Sequence, residues 1–220
     1  MHTSLSRMRP LIVLGMIALA ACQPTDKNQA PTGVVAKAMD EAAKGLGEAS
    51  QEMDKAREEI ATARDRLARE NISLNRNEKQ HLPKAEITPA GDLLIEGKAV
   101  ATTPEQKALV LAYRGELLGV VGDGMAIGME GARLGIDAAA SALKGVLAGQ
   151  DGDQIGKQVG EQAKAKIQPM VAQLCTRLPG LLSAQQALSA ALPEFAPYAT
   201  MDQADVDDCG DANGDGNWTF

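Results

Sequence analysis

AEITPAGDLLIEGKAVATTPEQ, residues 85–106, is the stretch in which the chain changes from strand to helix. It contains three short apolar runs, at 85–88, 93–95 and 98–101, which are separated by the turn residues Pro-Ala-Gly-Asp and Glu-Gly. Short strands joined by such turns form an antiparallel β-meander, and residues 72–74 are a candidate for one more strand. Because so small a sheet cannot fold alone, we expect it to pack on helices.

A long helix is predicted immediately after the meander. Thr103 stands at the N-cap, Pro104 at the first helical position and Gln106 three residues after the cap, which is the pattern of a capping box. Two series of small residues then recur every seven positions: Gly124, Gly131, Ala138 and Gly145, and Gly128, Gly135, Ala142 and Gly149. Since Gly is a poor helix former, we expect this small-residue stripe to pack closely against another helix.

Membrane insertion is the alternative interpretation of the small-residue stripe, because such motifs bring helices together in lipid. Ionisable side chains also recur every seven residues on the opposite side of the helix, and each would be costly inside a bilayer. They are Glu116, Asp123, Glu130, Asp137 and Lys144. The charged face therefore favours a water-soluble helix.

Upstream of the meander, residues 34–70 carry a heptad pattern over four repeats. One heptad position holds large apolar residues, which we call the seam: Met39, Leu46, Met53, Ile60 and Leu67. A second heptad position holds the alanines Ala42, Ala49, Ala56 and Ala63. The pattern predicts one long helix, followed by a linker at 71–84. The seam is a predicted interaction surface that packs either on the small-residue stripe or between chains of an oligomer, and the sequence favours neither.

Residues 1–21 have the pattern of a bacterial lipoprotein signal peptide. Two arginines precede the apolar run LIVLGMIALAA, which is too short to cross a bilayer as a helix. The sequence Leu-Ala-Ala-Cys that ends at Cys22 resembles a lipobox, which implies that Cys22 is acylated and becomes the mature N-terminus. By the same resemblance, Gln23 implies sorting to the outer membrane. Residues 22–33 are then a flexible polar tether.

Two further helices are predicted downstream. Asp151 and Asp153 are candidate caps of a third helix, Pro169 is expected to kink or break it, and Leu-Pro-Gly at 178–180 is expected to end it. A fourth, short helix is predicted from Ser183 up to Pro193.

The C-terminal segment is expected to fold back over the core, because it holds most of the few aromatic residues: Phe195, Tyr198, Trp218 and Phe220. Once Cys22 is acylated, Cys175 and Cys209 are the two cysteines that remain in an oxidising compartment, where paired cysteines persist as disulfides. We therefore predict a Cys175–Cys209 bridge.

The composition argues against several classes of function. Aromatic residues make up 2% of the chain and the net charge is −7, whereas conventional ligand pockets use aromatic side chains and nucleic-acid interfaces need a basic surface. His81 is the only His after the signal peptide and is expected in a solvated loop, so we predict no catalytic residue and no cofactor.

Asp211, Asn213 and Asp215 match the start of a calcium loop, whose twelfth ligand would fall past Phe220. They are a weak calcium candidate, and no metal site is predicted.

Several of these elements together resemble one family. The meander, the run TPEQKALVLAYRGELL and the later run LCTRLPGLLSAQQALSAALPEFAPYATM with Cys209 are similar to the YggN-like family of Gram-negative envelope proteins of unknown function. The resemblance covers about residues 84–209 and leaves the heptad helix outside. It implies an envelope location and brings no established activity or catalytic residues.

We therefore expect a mainly α (α+β) fold: a long heptad-patterned N-terminal helix, a small antiparallel β-meander, and a helical bundle with a disulfide-pinned C-terminal segment. The family-like domain covers 85–209, and an acidic tail covers 210–220.

The predicted function is that of a lipid-anchored periplasmic structural or protein-interaction module, which is not an enzyme. Its predicted partners are the membrane, through acyl chains, and an envelope protein or second copy, through helix packing; nucleic acid is not expected. The alternative is a small-molecule or lipid-binding module with a cavity among Met- and Leu-lined helices.

Overall fold

The computed structural model describes residues 33–74 and 82–210. Of these, residues 39–74 and 82–210 belong to one compact unit, and Gly33–Ala38 belong to another. The helices are α1 (Gly33–Arg69), α2 (Pro104–Leu147), α3 (Gly152–Ala191) and α4 (Gln203–Asp207), with a 3₁₀ turn at Ala196–Tyr198, and the strands are β1 (Ile72–Ser73), β2 (Ala85–Ile87), β3 (Leu93–Ile95) and β4 (Lys98–Ala99). The predicted signal peptide, Cys22, most of the tether, His81 and the tail from Asp211 onward lie outside the described residues.

The sheet is the predicted meander with the additional strand at its edge. Its strand order is β1-β2-β3-β4, every pair is antiparallel, and Ile87 lies opposite Leu93. The turn that joins β2 to β3 needs glycine at position 91, where φ is +86° and an added Cβ would lie 2.6 Å from Leu111. The mainly α fold with a small antiparallel sheet is therefore confirmed.

The main core lies where the sheet meets one end of the helix pair α2 and α3. The buried side chains come from the sheet, from the start of α2, from the end of α3 and from the segment that follows: Ala85, Ile87, Leu93, Val110, Tyr113, Leu117, Leu181, Leu188, Leu192, Phe195 and Tyr198. Phe195 is fully buried, and its ring meets that of Tyr113 edge to face with centroids 5.1 Å apart. The C-terminal segment thus covers the core as predicted, although Trp218 and Phe220 fall in the part that is not described.

Side-chain hydrogen bonds and the disulfide hold the C-terminal segment on α3. The amide of Gln185 donates to the Met201 carbonyl at 2.8 Å and accepts from the Met201 N–H at 3.1 Å. Further along, Cys175 of α3 is bonded to Cys209, across a sequence separation of 34 residues. The predicted disulfide is confirmed.

The helices α2 and α3 form a long hairpin. The predicted capping box opens α2, with Thr103 Oγ1 accepting from the N–H of Gln106 at 3.2 Å and the Gln106 side chain accepting from the N–H of Thr103 at 2.9 Å. Gly149, with φ +68°, makes the turn, and Asp151 caps α3. Along the hairpin, Arg177 of α3 binds Asp123 of α2 at 2.8 Å.

The predicted end of the third helix at 178–180 and the separate fourth helix at 183–193 are wrong, because α3 continues from Gly152 to Ala191 with Pro169 and Pro179 inside it. Each proline removes one backbone hydrogen bond. Apolar side chains are buried on both sides of Pro179, with Val171 and Leu174 before it and Leu181, Leu182 and Leu188 after it. The burial of this continuous apolar face stabilises α3 by more than the missing backbone hydrogen bonds at the two prolines destabilise it.

The expectation that the small-residue stripe packs closely is also wrong for its first half. A Cβ added at Gly124, Gly128, Gly131 or Gly135 would meet nothing within 4 Å. Only towards the end of α2 does the stripe make a close contact, where Gly145 lies against Ile155 of α3. The reason is that glycine offers no apolar surface to bury, so neighbouring faces with Leu134, Ala126 and Met129 pack instead.

Within the unit that begins at Met39, α1 lies antiparallel to α2. The guanidinium of Arg114 binds the carbonyl of Leu67 at 2.6 Å, and Arg64 binds the carbonyl of Gly122 at 2.7 Å, so the contact moves backward along α1 as it moves forward along α2. Over residues 33–74 and 82–210, no helix has a stretch apolar enough to span a bilayer.

Candidate functional site

A groove of about 570 Å³ lies between α1, α2 and α3, and we call it the three-helix groove. Helix periodicity explains which side chains line it, because residues three and four apart share a face. The lining residues are Arg57, Ile60, Ala61, Arg64 and Asp65 of α1, Ala126, Met129, Glu130 and Arg133 of α2, and Met170 of α3. The groove is therefore formed mainly by one face of α1 and one face of α2, and α3 contributes only Met170 to its lining.

Five of the ten residues that line the three-helix groove are apolar. They are Ile60, Met129 and Met170, one from each helix, together with two small alanines. All three large side chains are partly buried. Methionine is unbranched and polarisable, so it adapts to ligands of different shape. The groove can therefore accept a flexible apolar chain.

The rim of the groove on α2 carries a paired set of charges. The guanidinium of Arg133 binds both carboxylate oxygens of Glu130, at 2.6 and 3.0 Å, and also contacts Asp137 at 3.3 Å. The hydrogen bond from Arg133 lowers the pKa of Glu130, with smaller contributions from Lys166 and Arg57, and the same contact raises the pKa of Arg133. These groups largely compensate one another's charge.

The rim on α1 differs, because it has one arginine without a carboxylate. Arg57 binds Asp54 at 3.0 Å and Asp65 binds Arg69 at 2.5 Å. Arg64 donates to the carbonyl of Gly122, and among the described residues no carboxylate lies within 4 Å of it. A guanidinium has five N–H donors. Arg64 can therefore offer both charge and donors to an anionic group in the groove.

The end of α1 beside this site is held by a second arginine, which is buried. Arg114 is 4% exposed, and it donates to the carbonyls of Leu67 at 2.6 Å, Ala68 at 3.2 Å, Glu70 at 2.8 Å and Ile87 at 3.0 Å. Desolvation lowers the pKa of this guanidinium. The last carbonyls of a helix lack partners within the helix and carry negative partial charge. Arg114 therefore fixes the end of α1 against β2 and so positions the α1 side of the groove.

The structure places the seam against its own chain. Between Met39 and Arg69, the residues of α1 that are not exposed are the seam and three of its heptad alanines: Met39, Leu46, Ala49, Met53, Ala56, Ile60, Ala63 and Leu67. Met53 is buried and Ile60 lines the groove. The surface facing this part of the seam is the row that contains Ala126 and Met129, beside the small-residue stripe.

The remaining predicted site residues are not brought together. Cys22, His81 and the weak calcium candidate Asp211, Asn213 and Asp215 lie outside the described residues. Within the described ranges, no three His, Cys, Asp or Glu side chains are grouped so that they could hold a metal ion.

The sequence patterns gave no site role to the arginines of this region. Arg57 and Arg64 are seven apart and stand beside the seam, and Arg114 shares a helix face with Val110, Tyr113 and Leu117, all of them buried. A charged residue at an apolar-face position was the available signal for Arg114. Arg64 and Arg133 gave no such signal, because the pattern of a single helix does not show which face of a neighbouring helix their side chains will contact.

No protein-family model, no curated protein and no solved structure matches the chain.

Proposed function

We propose that this chain is a lipid-anchored envelope protein that binds an amphiphilic anion in the three-helix groove and catalyses no reaction. The observation that carries the proposal is the groove itself, in which apolar residues from three helices lie beside the guanidinium of Arg64, which has no carboxylate within 4 Å among the described residues. A volume of about 570 Å³ is in the range of known ligand cavities. The apolar residues suit an acyl chain, and Arg64 suits a carboxylate or phosphate.

The proposed location is the periplasmic face of the outer membrane, with attachment through acyl chains on Cys22. The Leu-Ala-Ala-Cys sequence and Gln23 support it, and the Cys175–Cys209 bridge is in keeping with an oxidising compartment. Mass spectrometry of the mature N-terminus, on membranes separated by density, is the test. An acyl-free terminus, or protein confined to the inner-membrane fraction, would contradict this location.

The binding experiment uses the chain from residue 22 to 220 with Cys22→Ser and titrates it with oleate and with lysophosphatidylglycerol. These probes share an acyl chain and a negative charge and differ in the headgroup. The variant is Arg64→Ala, and the matched control is Arg66→Ala, which removes an exposed arginine of the same helix that does not line the groove. We expect Arg64→Ala to weaken binding about tenfold and Arg66→Ala to leave it unchanged.

Two results would contradict the proposal. One is equal binding by the two arginine variants, because attraction to general surface charge would then explain the affinity. The other is no binding of either probe, together with native mass spectra of the purified protein that contain no retained lipid or small molecule.

The second candidate function is a protein-interaction module, and a different observation favours it. The face of α2 with Gly124, Gly128, Gly131 and Gly135 is exposed and has open space beside it, so the backbone of a partner helix could approach closely. Substitution of Gly128 by Leu would block such an approach. Sedimentation of wild type and Gly128→Leu tests this candidate, because a multimer that the variant loses supports it and a monomer in both contradicts homotypic assembly.

A further inference from the structure

The turn between α2 and α3 exposes two adjacent apolar side chains. We call residues 146–152 the hairpin tip. Val146 and Leu147 are each 59% exposed, and they are the most exposed large apolar residues in the described part of the chain. They occupy the last two positions of α2, directly before the turn at Gly149. Isolated exposed leucines are common on protein surfaces, but this pair projects from the end of a helical hairpin.

The hairpin tip lies at the end of the unit where the chain from the predicted lipid anchor enters. The side chain of Arg64 in α1 reaches the carbonyl of Gly122 in α2, and the two helices are antiparallel. From these residues, 25 positions back along α1 lead to Met39 and 25 positions forward along α2 lead to Leu147. Each path covers about 38 Å at the rise of an α-helix. Met39 and Leu147 therefore lie towards the same end of the unit.

The chain that precedes Met39 reaches Cys22 after 17 residues. Even if this connection were fully extended, it would measure no more than about 60 Å. An anchored unit is therefore held near the bilayer, at an effective concentration at which weak contacts are occupied. The end of the unit that carries Val146 and Leu147 is the end to which this connection is attached.

We infer that the hairpin tip docks on the surface of the bilayer that holds the acyl chains, with Val146 and Leu147 entering the interface. The inference depends on the lipid anchor of the proposed function and goes beyond it, because it adds a second contact with the membrane and an orientation. Charges near the tip are balanced, with Lys144 and Lys157 against Asp151 and Asp153. We expect neither strong attraction to anionic lipid nor repulsion from it. The affinity of the tip for the membrane should therefore depend on the burial of Val146 and Leu147.

In the experiment, the protein is coupled covalently to lipid vesicles. The chain from Cys22 to Phe220 is coupled through the Cys22 thiol to a maleimide lipid, since Cys175 and Cys209 are bonded to each other. The single tryptophan, Trp218, is changed to Phe, and a new one is introduced by Leu147→Trp. The control is Leu111→Trp, which replaces an apolar residue, 42% exposed, near the other end of α2. The vesicles contain phosphatidylcholine with a brominated fraction, which quenches tryptophan on contact.

We expect the brominated lipid to quench Leu147→Trp at least twice as strongly as Leu111→Trp, and we expect the added change Val146→Asp to reduce the quenching at position 147. Equal quenching at the two positions, or none at either, would overturn the inference. If the emission of Leu147→Trp instead depends on protein concentration without vesicles, the tip contacts a second copy and the inference is likewise overturned. Because the lipid is attached in vitro, the result is independent of whether cells acylate Cys22, which the mass spectrum of the mature N-terminus tests separately.

Discussion

The guanidinium of Arg114 donates a 2.6 Å hydrogen bond to the carbonyl of Leu67, and this contact joins the first third of α2 to the end of α1. Arg114 has four carbonyl acceptors and, among the described residues, no carboxylate within 4 Å. A buried cation without an anionic partner is costly unless its donors are satisfied. Here the negative end of the α1 dipole takes the place of a carboxylate.

Substitution of Arg114 by Met should lower the free energy of unfolding by about 3 kcal/mol, because four carbonyls, one of them buried, lose a charged donor. Arg114→Lys keeps the charge but reaches fewer acceptors, so its loss should be smaller. Urea unfolding measures both variants, and hydrogen exchange should show that the last turn of α1 is the region that loses protection. Equal stability of wild type and Arg114→Met would mean that water replaces the guanidinium at no cost.

Glycine-to-alanine changes in α2 should have opposite effects at two positions. Gly131 has open space where a Cβ would go, so Gly131→Ala should raise the free energy of unfolding by about 0.5–1 kcal/mol through helix propensity. At Gly145 a Cβ would overlap the side chain of Ile155, so Gly145→Ala should lower it by about 1–3 kcal/mol. Thermal or urea unfolding of the pair provides the comparison. If both variants are stabilised, Ile155 moves aside freely and the close contact at the end of the hairpin has no energetic role.

Loss of the disulfide should loosen only the end of the described chain. By loop-closure entropy, the double variant Cys175→Ala, Cys209→Ala should lose about 3–4 kcal/mol for a separation of 34 residues. The paired hydrogen bonds between Gln185 and Met201 remain in this variant. Hydrogen exchange should therefore show lost protection in α4 and retained protection up to Met201. Lost protection in the 3₁₀ turn at Ala196–Tyr198 as well would show that the bridge holds the whole segment.

The elements that the sequence predicted well have local causes. The capping box at Thr103 satisfies its hydrogen bonds within four residues, and the heptad seam follows from the periodicity of a single helix. The length of α3 was not predictable in this way, because Pro179 signals an end and only the burial of Leu181 and Leu188 in a core formed by distant segments shows that the helix continues.

The candidate site was predictable only in part. Ile60 was in the predicted seam, whereas the alternative of a cavity among Met- and Leu-lined helices did not specify Met129. Arg64 was not identified, because its role depends on the position of Gly122, which is 58 residues away in the chain. The glycines of α2 gave a misleading signal for the same reason, since their spacing defines a face without indicating whether a partner covers it.

Stability should fall at alkaline pH through Tyr198. Its hydroxyl donates to the carbonyl of Pro83 at 2.8 Å, and desolvation, with a smaller contribution from Glu96, raises the pKa of the phenol above its ordinary value of 10.0. The folded state thus favours the neutral phenol, so this contribution to stability is fully present below pH 10 and is lost as pH rises through the folded pKa. Tyr198→Phe should lose about 1 kcal/mol at pH 7. Urea unfolding at pH 7 and above pH 10 should show the difference between wild type and variant shrinking, and a constant difference would mean that Tyr198 ionises equally in the folded and unfolded states.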